Sequence, residues 1–387
     1  MSGNDKSPIR VMRIIARMNV GGPAVQVSGL MRGFDRSQFT QLLYTGFCGA
    51  DEADYLNSIA TDVVAIRIKG LGRRLRFGGD IMAFLALVKA IHEFKPHVIH
   101  THTAKAGFLG RTASLFSFHK SIRVHTFHGH LLTGYFGSFK RFLVVIVEKF
   151  LAFTTHQLLA VGDKVRQDLL DAGIGSKEKF GVMSPGLTLE NLPSEADAQM
   201  FFGLNHERLQ CAFIGRVTQI KRPDRFLDVV SEINKRQTNL DFFIAGDGEL
   251  LEACRERIIA ENLPVKVLGW QSNIEKVLSA ADIVVLTSDN EGTPLSLIQA
   301  GMAGLPVVST NVGSVPEIVI DGVTGITTGL DVREIADALE KLANNQALCA
   351  QLGSAAKQFT LANFGVERLV HDHEALYKGL LSSRAKF

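Results

Sequence analysis

The sequence predicts two open, doubly wound α/β domains, each with a parallel sheet. Three observations carry this. Short apolar runs rich in β-branched residues alternate with helical patterns along nearly all of the 387 residues. The runs are continuous rather than alternating, as strands buried on both faces of a parallel sheet must be. The alternation breaks once, after Pro185-Gly186, in a polar stretch reaching about Glu207, and then restarts. At ~100–200 residues per domain the length suits two domains.

In the first half, residues 11–18, 39–45, 63–68, 97–102, 122–127, 157–161 and 179–183 read as strands. Helical patterns at 25–34, 81–94, 106–116 and 138–153 fall between them. In the second half the strands are 211–217, 241–245, 265–268, 283–287 and 306–309, with helices at near-regular spacing. The expected organisation is an N-terminal domain at 1–186, a linker at 187–207, a C-terminal domain at 208–365, and a last helix at 366–387 that packs back on the first domain. Ligands of such sheets bind beyond the carboxyl ends of the strands. The cleft between the two domains is therefore the expected site.

Composition removes several classes. Hydrophobic residues make up 46% and charged residues 21%, as in ordinary globular proteins. Cys48, Cys211, Cys254 and Cys349 stand singly, so neither a thiolate metal site nor a disulfide framework is expected. The N-terminal stretch has no apolar signal core, and the longest uncharged apolar stretches, 81–88 and 142–147, fall far short of the ~20 residues that span a bilayer. A cytoplasmic protein is the expectation. Charge is uneven. Residues 1–186 hold 24 Lys and Arg against 13 Asp and Glu, and the remainder holds 18 against 26. The first half therefore carries +11 and the second −8, which suggests that the first faces something anionic.

The common chemistries of this fold class lack their motifs. No Gly-x-Gly-x-x-Gly, no Gly-x-x-x-x-Gly-Lys and no Gly-x-Ser-x-Gly element is present. His97, His100, His102, His125, His128 and His130 cluster on or after strands, without a carboxylate pattern to support a metal. One or two are expected to line the site and the others to be core. The second half is more specific. Arg216 ends a strand and Lys221 follows five residues later, a pair of cations able to clamp a diphosphate. After the strand at 283–287 comes Asn290-Glu291-Gly292-Thr293-Pro294-Leu295, ending near Gln299. Thr293 is expected to be the N-cap and Pro294 the first helical residue, which points a helix N-terminus at the same place.

Taken together, Gly215–Lys221, the Gly246-Asp247-Gly248 turn, Leu268-Gly269-Trp270 and Glu291–Thr310 resemble glycosyltransferase family 4, of GT-B fold: two Rossmann-like domains facing a central cleft. Gly21-Gly22, the stretch Thr101–Arg111 and Phe127-His128-Gly129-His130 look like the bacterial members that build surface polysaccharides on lipid carriers. The resemblance implies a retaining transfer from a nucleotide-diphosphate sugar, with a UDP-sugar the expected donor, to a lipid-linked or polysaccharide acceptor. Arg216 and Lys221 would hold the diphosphate, and Glu291 the hydroxyls of the transferred sugar. The backbone from Gly292 through Thr293 and Pro294 to Leu295 would meet the phosphates. Gly215, Gly21 and Gly22 would let backbone approach the donor, His128 would sit beside sugar and acceptor, and Trp270 would lie near the base or simply pack. No metal and no cofactor is implied.

One position departs from the family pattern. Gln299 stands where a glutamate usually accepts hydrogen bonds from the donor ribose. A Gln oxygen still accepts, without charge, so weaker nucleotide binding is expected. Two other readings stay open: a nucleotide-sugar-binding subunit with little activity, and a GT-B sugar-nucleotide epimerase. The charge asymmetry suits an anionic membrane surface, reached through Arg73, Arg74, Leu75, Arg76 and Phe77 and through Tyr135, Phe136, Phe139, Lys140, Arg141 and Phe142. The expected location is peripheral, on the inner face of the membrane. No nucleic-acid partner is expected.

Overall fold

The computed structural model describes residues 7–50, 52–129 and 138–384, and leaves the side chains of 138–141 undescribed. It divides into two compact units, one formed by residues up to Leu187 together with those from Val366 onward, the other by Thr188–Gly365.

Unit 1 alternates strand and helix from its start: β1 (Ile9–Ile15), α1 (Gly22–Gly33), β2 (Phe39–Thr45), α2 (Tyr55–Ser58), β3 (Ile66–Arg67), α3 (Phe77–Phe94), β4 (Val98–His102), α4 (Ala104–Phe116), β5 (Ile122–Phe127), α5 (Ser138–Thr154), β6 (Gln157–Ala160), α6 (Asp163–Asp171) and β7 (Phe180–Val182). The sheet is wholly parallel, in the order β3-β2-β1-β4-β5-β6-β7. Its order reverses between β1 and β4, so the loops leaving these two strands part and open a crevice. Met12, Ile14 and Ile99 bury against α3 and α4 on one face, and Val11, Val98 and Val124 against α1 on the other. This two-sided burial explains the uninterrupted apolar runs. The strand expected at 63–68 is only two residues long, because it is the sheet edge and pairs on one side alone.

Unit 2 repeats the plan. It contains α7 (Glu195–Phe202), β8 (Leu209–Ile214), α8 (Pro223–Lys235), β9 (Leu240–Ala245), α9 (Leu251–Ala260), β10 (Val265–Gly269), α10 (Ile274–Ser279), β11 (Ile283–Leu286), α11 (Leu295–Ala303), β12 (Val307–Thr310), β13 (Ile326–Thr328), α12 (Val332–Ala343) and α13 (Gln346–Phe364). The order β10-β9-β8-β11-β12-β13 reverses between β8 and β11. The last helix, α14 (Val366–Arg384), belongs to unit 1, where Leu369, Val370 and Tyr377 enter the core beside Leu30 and Val98.

Two expectations need correction, and one element is added. The segment 187–207 is not a plain linker, because it holds α7. Ser194 caps that helix by accepting from the Asp197 amide, Gly203 ends it in the left-handed region, and Ala198 and Phe202 are buried. The strand expected at 211–217 stops at Ile214, because Gly215 has φ +150° and turns the chain out of the ladder. The edge strand β13 lay unseen in the sequence, being three residues long between Gly325 and Gly329.

Candidate active site

In unit 2 the expected donor residues gather at the carboxyl ends of the strands. Gly215 leads the chain out of β8 with no room conflict of its own, but its neighbourhood is tight. A Cβ on Gly246, at the end of β9, would lie 1.8 Å from the Gly215 carbonyl oxygen. Gly246 is therefore a glycine because two strand ends close on one another there. Arg216 follows, exposed, and its guanidinium has no hydrogen-bond or ion-pair partner among the described residues.

Lys221 ends a single 3-10 turn, Gln219–Lys221. Its ammonium lies 2.5 Å from Oε1 of Glu291, and the Ser288 hydroxyl donates to the same oxygen at 2.5 Å. The two charged side chains are 17% and 8% exposed. The two expected cations thus differ: one is open, the other half of a mostly buried pair.

Several residues that the sequence did not single out build this pair. Arg225 on α8 is buried; it donates to the Thr287 carbonyl at 2.6 Å and to Asp289 at 2.7 Å. The Thr287 hydroxyl donates to the Lys221 and Arg222 carbonyls, and the Asp289 amide to the Ile220 carbonyl. The loops after β8 and β11 are stitched together in this way. A signal existed for Arg225, which lies four residues before the buried Val229 on the apolar stripe of α8, where a cation needs a partner. Gly313, with φ +54°, backs the site, since a Cβ there would meet the Glu291 carbonyl oxygen at 1.8 Å.

The helix start is displaced by one residue. Pro294, not Thr293, is the N-cap, with ψ 111°, and α11 begins at Leu295; the cap has no side-chain hydrogen bond. The Pro294 carbonyl accepts from the Leu297 and Ile298 amides. Leu295 and Ser296 are the first helical residues, whose N–H groups have no partner within the helix. Gln299 is half-buried on α11, and its side-chain amide has no hydrogen-bond partner among the described residues. Trp270 follows Gly269 at the end of β10 and is 41% exposed.

In unit 1, Gly21 caps α1 with φ 155° and accepts from the Ala24 and Val25 amides, while Gly22 is the first helical residue. A Cβ on Gly21 would touch nothing, so the approach to this turn is open. His128 follows β5 and is half-buried. Its Nε2 lies 3.0 Å from Nδ1 of His102. Burial pushes its pKa down to about 3. His100, His102 and His125 are core residues, and burial, helped by nearby positive groups, holds each well below the ordinary imidazole range. His130 lies outside the described residues.

The basic and apolar patches follow the same division. Arg73, Arg74, Leu75, Arg76 and Phe77 are all exposed. The stripe continues along α3 through Ile81, Met82 and Leu85, also exposed. Tyr135 and Phe136, and the side chains of Phe139, Lys140 and Arg141, lie outside the described residues. Phe142 is exposed, with Leu143, Ile146, Phe150 and Phe153 along the same helix. Glu148 of α5 instead turns inward, where Arg111 of α4 donates to both of its carboxylate oxygens. Among the described residues no helix is long and apolar enough to cross a membrane.

Residues 20–191 match the model of glycosyltransferase family 4, and residues 196–359 that of the glycosyl transferases group 1. The chain belongs to glycosyltransferase family 4. It is similar to the UDP-Gal:alpha-D-GlcNAc-diphosphoundecaprenol alpha-1,3-galactosyltransferase of Escherichia coli, with 28% identity over 76% of this chain and 78% of that one. It is also similar to the capsular polysaccharide biosynthesis glycosyltransferase CapM of Staphylococcus aureus, with 23% identity over 91% and 94%. Among solved structures, HepE of Anabaena in complex with UDP and glucose superposes with a TM-score of 0.81 at 17% identity, over 96% of this chain and 99% of that one. That likeness establishes the GT-B fold of this family 4 chain.

Proposed function

We propose that this family 4 protein moves a sugar, with retention of configuration, from a UDP-sugar to a lipid-linked acceptor in the assembly of a cell-surface polysaccharide. The observation that carries the reading is the junction of β8 and β11. There the exposed Arg216 and Lys221 after β8, and Glu291, paired with Lys221, and the start of α11 after β11, follow the two strands between which the sheet reverses. The relatives that act on a diphosphoundecaprenol-linked acceptor and in capsule synthesis support the acceptor class.

In this reading Arg216 and Lys221 hold the diphosphate, joined by the first amides of α11. Lys221 keeps one donor on Glu291 and has two others for phosphate oxygens. Glu291 accepts from sugar hydroxyls, Gln299 from the ribose, and Trp270 lies by the base. Gly21 and Gly22 admit the leaving phosphate, and His128 lies beside the transferred sugar. The acceptor oxygen bonds to the anomeric carbon on the face that the diphosphate leaves. The carbon–phosphate-oxygen bond breaks, and the departing phosphate takes the acceptor's proton. Two cations and a helix N-terminus stabilise the developing charge, so no metal is required. The exposed arginines at 73, 74 and 76 and the apolar faces of α3 and α5 set unit 1 on anionic lipid at the inner face of the membrane.

The test is incubation with a panel of nucleotide sugars, with and without EDTA, while nucleotide release is followed. Slow hydrolysis of one UDP-sugar that survives EDTA is expected. Release from no member of the panel, or release that EDTA abolishes and Mn²⁺ restores, would refute the reading.

A further inference from the structure

The imidazoles of unit 1 form a connected set. His100 and His102 of β4 stack 4.2 Å apart, and His373 of α14 stacks on His100 at 5.6 Å. Tyr377 Oη lies 2.5 Å from His100 Nδ1, while Arg13 of β1 donates to that hydroxyl at 3.0 Å. Arg13, which can only donate, also lies 3.3 Å from His100 Nδ1, so that nitrogen accepts and the Tyr377 hydroxyl donates to it. The His100 proton is then on Nε2, 2.7 Å from the Thr126 hydroxyl. The titratable groups around His102 are His128, Arg13, His373 and His125, and around His125 also Arg111. All are basic. Glu148 is taken up by Arg111. Such surroundings keep these rings neutral.

A neutral imidazole carries one N–H, so the His102–His128 contact has two possible directions. If His128 donates, His102 must carry its proton on Nε2. That atom is buried and has no hydrogen-bond partner among the described residues, so an N–H there would be stranded. If His102 donates from Nδ1, the unpartnered atom is a lone pair, which costs less to bury unpaired than an N–H.

We propose that His102 is a positioning residue: by donating from Nδ1 to Nε2 of His128, it keeps the His128 proton on Nδ1. His128 then meets the substrate as a neutral hydrogen-bond donor to a sugar or phosphate oxygen, not as a base. The inference rests on the transfer reading for its consequence, but not for its geometry. An isolated histidine prefers its proton on Nε2, so without His102 the ring reverts and offers a lone pair instead.

The test is a long-range proton–nitrogen spectrum of the histidine-labelled protein, with His128 assigned through His128→Asn. The wild type is expected to show the Nδ1–H form of His128 unchanged between about pH 5.5 and about pH 8.5. His102→Leu is expected to convert it to the Nε2–H form. The same change should lower kcat about tenfold with donor KM little altered, the loss of one positioned hydrogen bond. His102→Asn, whose amide reaches the place of Nδ1, should restore most of it. A wild-type His128 in the Nε2–H form, one that titrates in this range, or a tautomer unmoved by His102→Leu would overturn the proposal. If His102→Leu does not fold, the wild-type spectrum alone decides. The stated tautomer in a protein that turns over no nucleotide sugar would sink the transfer reading and leave the assignment standing.

Discussion

Replacing Arg216 and Lys221 in turn should separate a binding cation from one that also holds the fold. Arg216 is exposed and unengaged, so Arg216→Ala should change stability by no more than about 0.5 kcal/mol. Lys221→Met strands the Glu291 carboxylate, which is 8% exposed. Breaking a buried pair typically costs ~3–5 kcal/mol. This pair keeps some water, and Ser288 still donates to Glu291, so about 2–3 kcal/mol is expected. For a unit of this size that corresponds to roughly 5–10 °C in melting temperature. Both variants should lose transfer, since a hydrogen bond to a charged partner is worth ~1.5–3 kcal/mol, or roughly 10- to 150-fold in kcat/KM. The double variant Lys221→Met/Glu291→Gln should melt above Lys221→Met, because no charge is left buried alone. Melting curves and initial rates on the four proteins make the comparison. Equal melting losses for Arg216→Ala and Lys221→Met, or a double variant that melts no higher than Lys221→Met, would refute the reasoning.

Gln299→Glu should tighten nucleotide binding several-fold, about 1 kcal/mol, with turnover at saturating donor little changed; calorimetric titration with UDP reads it, and unchanged affinity means that Gln299 does not meet the ribose. The same variant tightening UDP while no acceptor is ever glycosylated would favour a binding subunit. Phe150→Ser/Phe153→Ser on α5, where Phe153 is 80% exposed, should weaken binding to anionic vesicles without shifting the melt, and added salt should weaken it further; wild-type binding to neutral vesicles that equals binding to anionic ones counts against the membrane surface. Asp282 is pushed up to about 6 by burial, against the Gln210 amide that favours its charge. Its folded pKa lies above the unfolded one, so its contribution is complete below about pH 4 and lost as pH rises through about 6. Asp282→Asn should therefore melt increasingly above the wild type across that window, and parallel pH curves for the two would show the carboxyl to be unperturbed.

The sequence by itself determined what depends on neighbours along the chain. Continuous β-branched runs at even spacing made the strands, and both sheets place Gly21, Arg216 and Glu291 after strand ends, where local pattern put them. Only the tertiary structure decided which distant groups meet. Lys221 and Glu291 are 70 positions apart, and their pairing depends on β8 lying next to β11. Tyr377 reaches His100 across 277 positions because α14 returns to unit 1. Whether the apolar side of α5 turned inward or outward was also beyond the sequence. A helical stripe shows that one face is apolar, but not what covers it. Here Arg111 claims the single carboxylate, Glu148, for the inner face, and the phenylalanines are left outside. The tautomer of His128 lies furthest from the sequence, for a proton's place on a ring is set by the partners of its partner.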